Sequence, residues 1–253
     1  MKVTHYGTAT VLFELDGLRI LTDPVFDPSG TRHQFAPAFP STKTYATPIE
    51  PSAIGDLDAI LLSHDQHGDN LDAAGRELLA SAARVVTTRA AKARLGQGDP
   101  RIVGLAPFES TRVEKGIAGL KVTATPARHG PPLSLPFVGS VVGFLLELAD
   151  STRVYVTGDT VLYGGVREVA ARFEVDVAVV HMGCASWGPF RFTMNAREGE
   201  AFARAFPSAR ILPVHYEGWT HFKETRKDIE RVFTAAGLAD RLTWLEPGVA
   251  LEI

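Results

Sequence analysis

A single cysteine, Cys184, in 253 residues leaves no disulfide to form within the chain. That excludes a disulfide-stapled scaffold and fits a reducing compartment. It also excludes a structural zinc held by several thiolates. Neither sign of charge dominates: 26 Lys and Arg against 29 Asp and Glu give a net charge of −3, so no basic footprint for nucleic acid exists. No apolar run approaches the length that spans a bilayer. Met1-Lys2-Val3-Thr4-His5 leads straight into strand-like sequence without an apolar signal core. These absences lead us to expect a cytoplasmic protein with no membrane insertion and no nucleic-acid partner, acting on a small molecule. The oligomeric state, homo-oligomer or not, stays open.

What is present is ordinary globular sequence: 45% hydrophobic and 22% charged residues, in a chain long enough to bury a core without covalent staples. No composition shift marks an internal boundary, and no short-period repeat is visible. The expectation is one domain over 1–253 with an irregular flap at about 24–56.

Val11–Leu15 and Leu18–Leu21 flank Asp16-Gly17, a hairpin signal. Pro24 ends the second strand. Periodicity then disappears: prolines at 24, 28, 37, 40, 48 and 51 interleave with Phe26, His33, Phe35, Phe39 and Tyr45. Such aromatic content reads as an ordered flap packed over something, against the alternative of a disordered linker. Ala59–Leu62 is strand-like. Helices are expected over 73–83, 89–95, 166–173, 196–206 (with Asn195 as N-cap) and 223–236. Strands are expected over 84–88, 102–103, 111–114, 120–125, 141–148, 153–157, 175–180 and 211–214, and Gly96–Pro100 breaks the chain. Leu242–Leu245 and Val249–Ile253 read as a closing hairpin across Pro247-Gly248.

Ser63-His64-Asp65-Gln66-His67-Gly68-Asp69-Asn70-Leu71-Asp72 carries two histidines and three aspartates at the end of an apolar strand. Imidazole nitrogen and carboxylate oxygen suit zinc or manganese. The plainer alternative is a polar loop that caps the next helix. The rest of the chain bears on that choice. Five expected strands end at a residue suited to metal or proton chemistry: His64, His129, Asp159, His181 and His215. Strands that each deliver one group to the same edge build a site no single motif reveals.

Together these residues resemble the metallo-β-lactamase-fold hydrolases, whose signature reads His-x-His-x-Asp-His. Thr22-Asp23-Pro24, His129, Gly158-Asp159-Thr160 and Pro213-Val214-His215 follow in the order of that family. The likeness is greatest to the ascorbate-6-phosphate lactonase-like and N-acylphosphatidylethanolamine phospholipase D-like branch. It implies an α/β, four-layer αββα sandwich with the site along one edge. It further implies one or two divalent metals per chain, zinc or manganese. His64, His67 and His129 would form the first position, Asp159 would bridge, and Asp69 and His215 would complete the second. Asp23 and Asn70 would stand behind these ligands and orient them.

Two departures are visible. The first two histidines are one residue further apart than the signature allows, with Gln66 where the second is due. Asn70 replaces the histidine of the second position. An amide is a poorer zinc ligand than imidazole, so that position is expected to be weak, empty or filled by a harder cation such as manganese. Asp65 is a conceivable substitute.

The implied chemistry is hydrolysis of a small ester, lactone or phosphodiester, with Asp69 as the catalytic group that orients water or moves its proton. A non-catalytic metal- or ligand-binding protein and a nuclease of the same fold are the rival readings. His181, Trp219 and His221 are placed as substrate contacts, with a buried, hydrogen-bonded histidine as the alternative for His181 and core packing as that for Trp219. His5 and Cys184 read as structural, His33 as a solvated loop residue, and Gly164-Gly165 as the start of a helix.

Overall fold

A computed structural model describes every residue except Pro37, Ala38 and Gln97. Pro37, in the expected flap, and Gln97, in the expected break at 96–100, therefore lie outside the described residues. The chain opens with β1 (Lys2–Gly7), β2 (Thr10–Leu15) and β3 (Leu18–Thr22). Asp16 and Gly17 both take positive φ, +48° and +82°, and Leu15 pairs with Leu18. That is the two-residue turn whose twist matches its strands, and glycine supplies half of it without a Cβ penalty.

The flap is not irregular throughout. It contains an antiparallel pair, β4 (Arg32–Ala36) and β5 (Phe39–Thr42). The buried Lys43 fastens it, donating from Nζ to the carbonyls of Val25 (3.2 Å) and Asp27 (2.7 Å), with Asp72 3.8 Å away. A buried ammonium needs such partners to offset its lost hydration. Burial lowers its proton affinity, and the carboxylates of Asp72 and Asp27 oppose that.

After the flap come β6 (Ala59–Leu61), α1 (Ala73–Leu78), β7 (Val85–Thr88), α2 (Arg89–Leu95) and β8 (Ile102–Leu105). Helix α1 is capped by Asp72, whose Oδ1 accepts from the Gly75 amide at 2.8 Å. It stops short of the expected Ala83, because the chain turns back and the Ala83 amide bonds to the Leu57 carbonyl at 3.0 Å. There follow β9 (Ser110–Lys115), β10 (Ala118–Pro126), α3 (Leu135–Val138), β11 (Val142–Glu147), β12 (Arg153–Val156), α4 (Gly164–Arg172) and β13 (Val177–His181). The chain finishes with β14 (Ser186–Trp187), β15 (Phe190–Arg191), α5 (Ala196–Ala205), β16 (Arg210–Val214), α6 (Arg226–Ala235) and β17 (Ala250–Glu252).

Two sheets result, ordered β17-β1-β2-β3-β6-β7-β8 and β16-β13-β12-β11-β10-β9. Phe13, Ile20 and Leu61 of the first meet Phe144, Leu146 and Val179 of the second in a fully apolar core. Leu12, Ile60 and Val85 pack outward with Leu71 and Leu79 and with Ala74 of α1. On the other outer face Tyr155, Ala178 and Ile211 pack beneath Val169 of α4, Phe202 of α5 and Phe233 of α6. This is the expected αββα sandwich. All five residues of β13 are buried, as a strand covered on both faces should be.

The expected closing hairpin does not form. β17 pairs with β1, whereas Leu242 makes only an isolated bridge to Ile211. Gly248 turns the chain at φ +76° and donates its amide to the His5 carbonyl at 2.8 Å, which sends the last strand to the first sheet.

Candidate metal centre

Parallel pairing places the ends of β3 and β6 together, and likewise those of β12, β13 and β16. The last residue of β13 and the loops after the other strands, with that after β10, deliver His181 and Asp23, His64, His67, His129, Asp159 and His215 to one edge; each of these side chains is buried.

The loop after β6 is held from three sides. The Ser63 amide donates to Asp23 Oδ1 at 2.7 Å, and Asp23 itself sits at φ +31°. Positive φ at a non-glycine residue costs on the order of 1–3 kcal/mol and persists only where surrounding structure imposes it. Arg94 grips the Asp65 carboxylate, with Nε 2.9 Å from Oδ2, so Asp65 is committed to an ion pair rather than to the site. Gln66 also turns outward, accepting from Arg94 Nη2 at 3.2 Å. The extra residue of the signature is thus looped out, and His67 still points inward. Gly68 leaves room for the ring of His33 from the flap, which a Cβ there would have to displace.

Three imidazoles converge. His67 Nδ1 lies 3.0 Å from His64 Nε2 and 3.0 Å from His129 Nε2. His129 donates Nδ1–H to the Phe192 carbonyl at 3.0 Å, and His64 Nδ1 lies 2.9 Å from Ser63 Oγ. With its proton on the outer nitrogen, His129 turns its Nε2 lone pair inward. Burial keeps His64 and His67 neutral. It lowers His64 well below the usual histidine range, with neighbouring His67 adding to the effect. It lowers His67 to about 4, helped by His129.

Asp159 stands between this trio and a second group. Its Oδ2 is 3.8 Å from His129 Nε2; its Oδ1 is 3.5 Å from His215 Nε2 and accepts from His181 Nδ1 at 2.9 Å. Asp69 Oδ2 lies 3.3 Å from His215 Nε2 and accepts from His221 Nε2 at 3.1 Å. Burial alone would raise both carboxyls. For Asp159 the charge of His215 and the His181 hydrogen bond outweigh it, and for Asp69 the close approach of His215 and the hydrogen bond from His221 do. Both are therefore held ionised. His215, pulled down by burial but more strongly favoured as a cation by Asp159 and Asp69, is raised.

The donor set fits a divalent cation. Two groups of three, His64/His67/His129 and Asp159/His181/His215, each bring their ligand atoms within 4.8 Å of one another. Both ring nitrogens of His215 and Nε2 of His181 are buried with no hydrogen-bond partner among the described residues. Converging lone pairs and orphaned buried nitrogens are costly unless a cation takes them up.

Asn70 lies where the two groups meet. With its amide oriented to satisfy its neighbours, Nδ2 donates to Asp69 Oδ1 and Asp159 Oδ2, each at 3.2 Å. In the opposite orientation Nδ2 lies 3.4 Å from Ser63 Oγ, and the amide oxygen faces the two carboxylates.

Of the three residues offered as substrate contacts, His221 lies on the wall of the adjoining cavity. His181 does not reach it, being wholly buried against Asp159. Trp219 also lies behind the wall, where its ring meets His33 at 5.2 Å and Phe35 at 5.7 Å. The tie between His221 and Asp69, 152 residues apart in sequence, was not foreseen; the signal was the aromatic run Trp219-Thr220-His221-Phe222 just after His215.

A family model for the β-lactamase superfamily domain matches residues 18–216. The chain belongs to that superfamily. A metal-dependent hydrolase of Exiguobacterium sp. is 26% identical over the full length of both chains. Among solved structures, a possible metal-dependent hydrolase from Veillonella parvula superposes with TM-score 0.86 at 21% identity, covering 100% of this chain and 99% of the other. An isothiocyanate hydrolase from Delia radicum gut bacteria gives 0.85 at 22%, with the same coverage. At these identities the structural likenesses speak to the β-lactamase superfamily fold. Among the described residues no helix is long and apolar enough to cross a membrane.

Proposed function

We propose that the protein is a metal-dependent hydrolase acting on a small ester, lactone or phosphodiester. The observation that carries this reading is the convergence of three buried imidazoles beside two ionised, buried carboxylates. His64, His67 and His129 would hold one cation, and Asp69, Asp159 and His215 a second, zinc or manganese. A divalent cation bound there supplies Lewis acidity and brings the pKa of bound water from about 16 towards 7. Asp69 is the catalytic group: ionised and on the cavity wall, it accepts the proton of the attacking water and returns it to the leaving group. His221 steadies that carboxylate by donating to it, and Ser41 Oγ, 2.7 Å from His221 Nδ1, sets the ring from the flap. Asp23 and Asn70 orient the loop and the carboxylates. The lactonase-like branch and a cytoplasmic location belong to the same reading.

A catalytically feeble binding protein is favoured by one observation, Asn70 in place of a ligating histidine. The test is a metal count on purified protein, with a panel of esters, lactones, phosphodiesters and an isothiocyanate assayed with zinc and with manganese. About two metals per chain and turnover of one class support the hydrolase. No metal and no turnover would favour the binding protein.

A further inference from the structure

The cavity that opens onto the site is walled by rings contributed from separate segments. Phe35 and Phe39 come from the flap, Phe137 from α3, Trp187 and Phe190 from the β14–β15 hairpin, and Phe192 follows it. Phe39 stacks on Trp187 with centroids 5.5 Å apart and planes 22° from parallel. Phe35 sits 5.4 Å from the ring of His67 and 4.9 Å from that of His221, so apolar wall and candidate ligands are continuous. Phe137, Trp187 and Phe190 are exposed at 81%, 44% and 51%, which leaves an apolar lip in water. Soluble proteins concentrate such patches where something binds.

The polar groups lining this cavity are few: Ser134 and, on the floor, His67, Asp69, His129 and His221. No lysine or arginine lines it among the described residues. A cation is available nearby, since Arg128 lines a neighbouring cavity on the far side of the 131–138 segment and lies 4.7 Å over the Tyr163 ring. Phosphate and carboxylate sites hold their anions with guanidinium forks or backbone donors. An anionic tail among these rings would lose its hydration without such a replacement. The volume, about 340 Å³, is roughly twice the ~150 Å³ that an apolar cavity needs to take up benzene. One ring, or a branched alkyl group of that size, fits together with a reacting group.

We infer that this cavity selects a substrate whose group next to the bond that is cut is neutral, one aromatic or branched aliphatic unit, and excludes a substrate whose group there is anionic. The inference rests on the hydrolase reading for the bond cleavage but not for the binding.

Binding is tested first, with a neutral aromatic probe, N-phenyl-1-naphthylamine, followed by its fluorescence. One saturable site per chain is expected, with 2-naphthol displacing the probe and 2-naphthol-6-sulfonate failing to do so at tenfold higher concentration. Trp187→Asp and Phe35→Asp should each weaken the probe about tenfold. Turnover is tested next: kcat/KM for 2-naphthyl acetate should exceed that for its 6-sulfonate by about a hundredfold or more. Absence of saturable binding overturns the inference, as does equal displacement by the sulfonate or indifference to both wall variants. Preference for the sulfonated ester would do so too, and would move the substrate to the Arg128 side. A protein that binds the probe as described but cleaves nothing in the panel sinks the hydrolase reading and leaves the cavity's selectivity standing.

Discussion

On one side of Asp159 three buried imidazoles converge, with His67 Nδ1 3.0 Å from a nitrogen of each of the other two; on the other, two ionised carboxylates face His215, His221 and the Asn70 amide. On the imidazole side burial holds His64 and His67 neutral and the Phe192 carbonyl turns the His129 Nε2 lone pair inward, so nitrogen lone pairs gather there. The carboxylate side can balance itself, because His215 is favoured as a cation by Asp159 and Asp69. Two positions a few ångströms apart are therefore differently prepared: one is incomplete without metal, and the other can rest on internal ion pairs. From this we expect unequal affinities, with the softer nitrogen-rich side filling first.

Asp159 is the group the two sides share, so its removal gives the largest effect. Asp159→Ala should cost on the order of a thousandfold or more in activity and reduce metal content on both sides, while circular dichroism shows the fold retained. If the imidazole side keeps one metal at unchanged affinity by calorimetry, Asp159 is not shared and the comparison fails.

The next effect concerns stability and needs no metal. His5 is wholly buried behind the carboxylate side, and its proton affinity is lowered by that burial to about 4; the Thr8 carbonyl opposes this, and His181 and His215 add to it. An unfolded histidine titrates near 6.5. Between about 6.5 and 4 the unfolded chain binds a proton that the folded chain does not. This contribution is therefore complete above 6.5 and is lost as the pH falls to about 4, by up to ~3 kcal/mol. Urea unfolding of the metal-free protein across this range should show a shallower pH dependence in His5→Gln. An unchanged slope would show that His5 does not titrate with unfolding.

How much of this could be read from the chain alone follows from the range of the interactions. The Asp16-Gly17 turn and the strand-end residues are signalled locally, by turn chemistry and by apolar runs that stop at a polar residue. They were legible, and so was the sandwich. The cavity was not. β14 and β15 are two residues each, too short to show any period, and the Phe39–Trp187 stack joins segments about 150 residues apart. The flap was legible as aromatic but not as a hairpin, because its tether, Lys43 buried near Asp72, is tertiary. His181 was visible as a strand end, yet only the fold aims its Nδ1 at Asp159.

That aim gives the third effect. Asp159 Oδ1 faces His181 and His215, whereas Oδ2 faces His129. Loss of the His181 donor should therefore weaken the carboxylate side selectively, by about 10–100-fold in metal affinity. His181→Asn, which can return an amide N–H near the Nδ1 position, should recover part of it. Calorimetric titration separates the two sides. An equal loss on both would mean that His181 supports Asp159 as a whole rather than one of its oxygens.

The smallest expected effect tests the origin of the asymmetry. As an amide, Asn70 either donates to Asp69 and Asp159 or, turned over, offers an oxygen between theirs. The first orientation satisfies both carboxylates without a cation. The second makes three oxygens converge, a donor set that suits manganese better than zinc. Asn70→His would replace this choice with a nitrogen ligand. Zinc affinity on the carboxylate side should rise about tenfold and the relative preference for manganese should fall, with the imidazole side unchanged. Asn70 is fully buried, so the larger ring has to be accommodated, and thermal unfolding should accompany the titration. If the variant is folded and its zinc-to-manganese preference equals that of the parent, the asymmetry does not come from Asn70. It would then have to lie in the hydrogen bonds that His221 and His181 make to the two carboxylates.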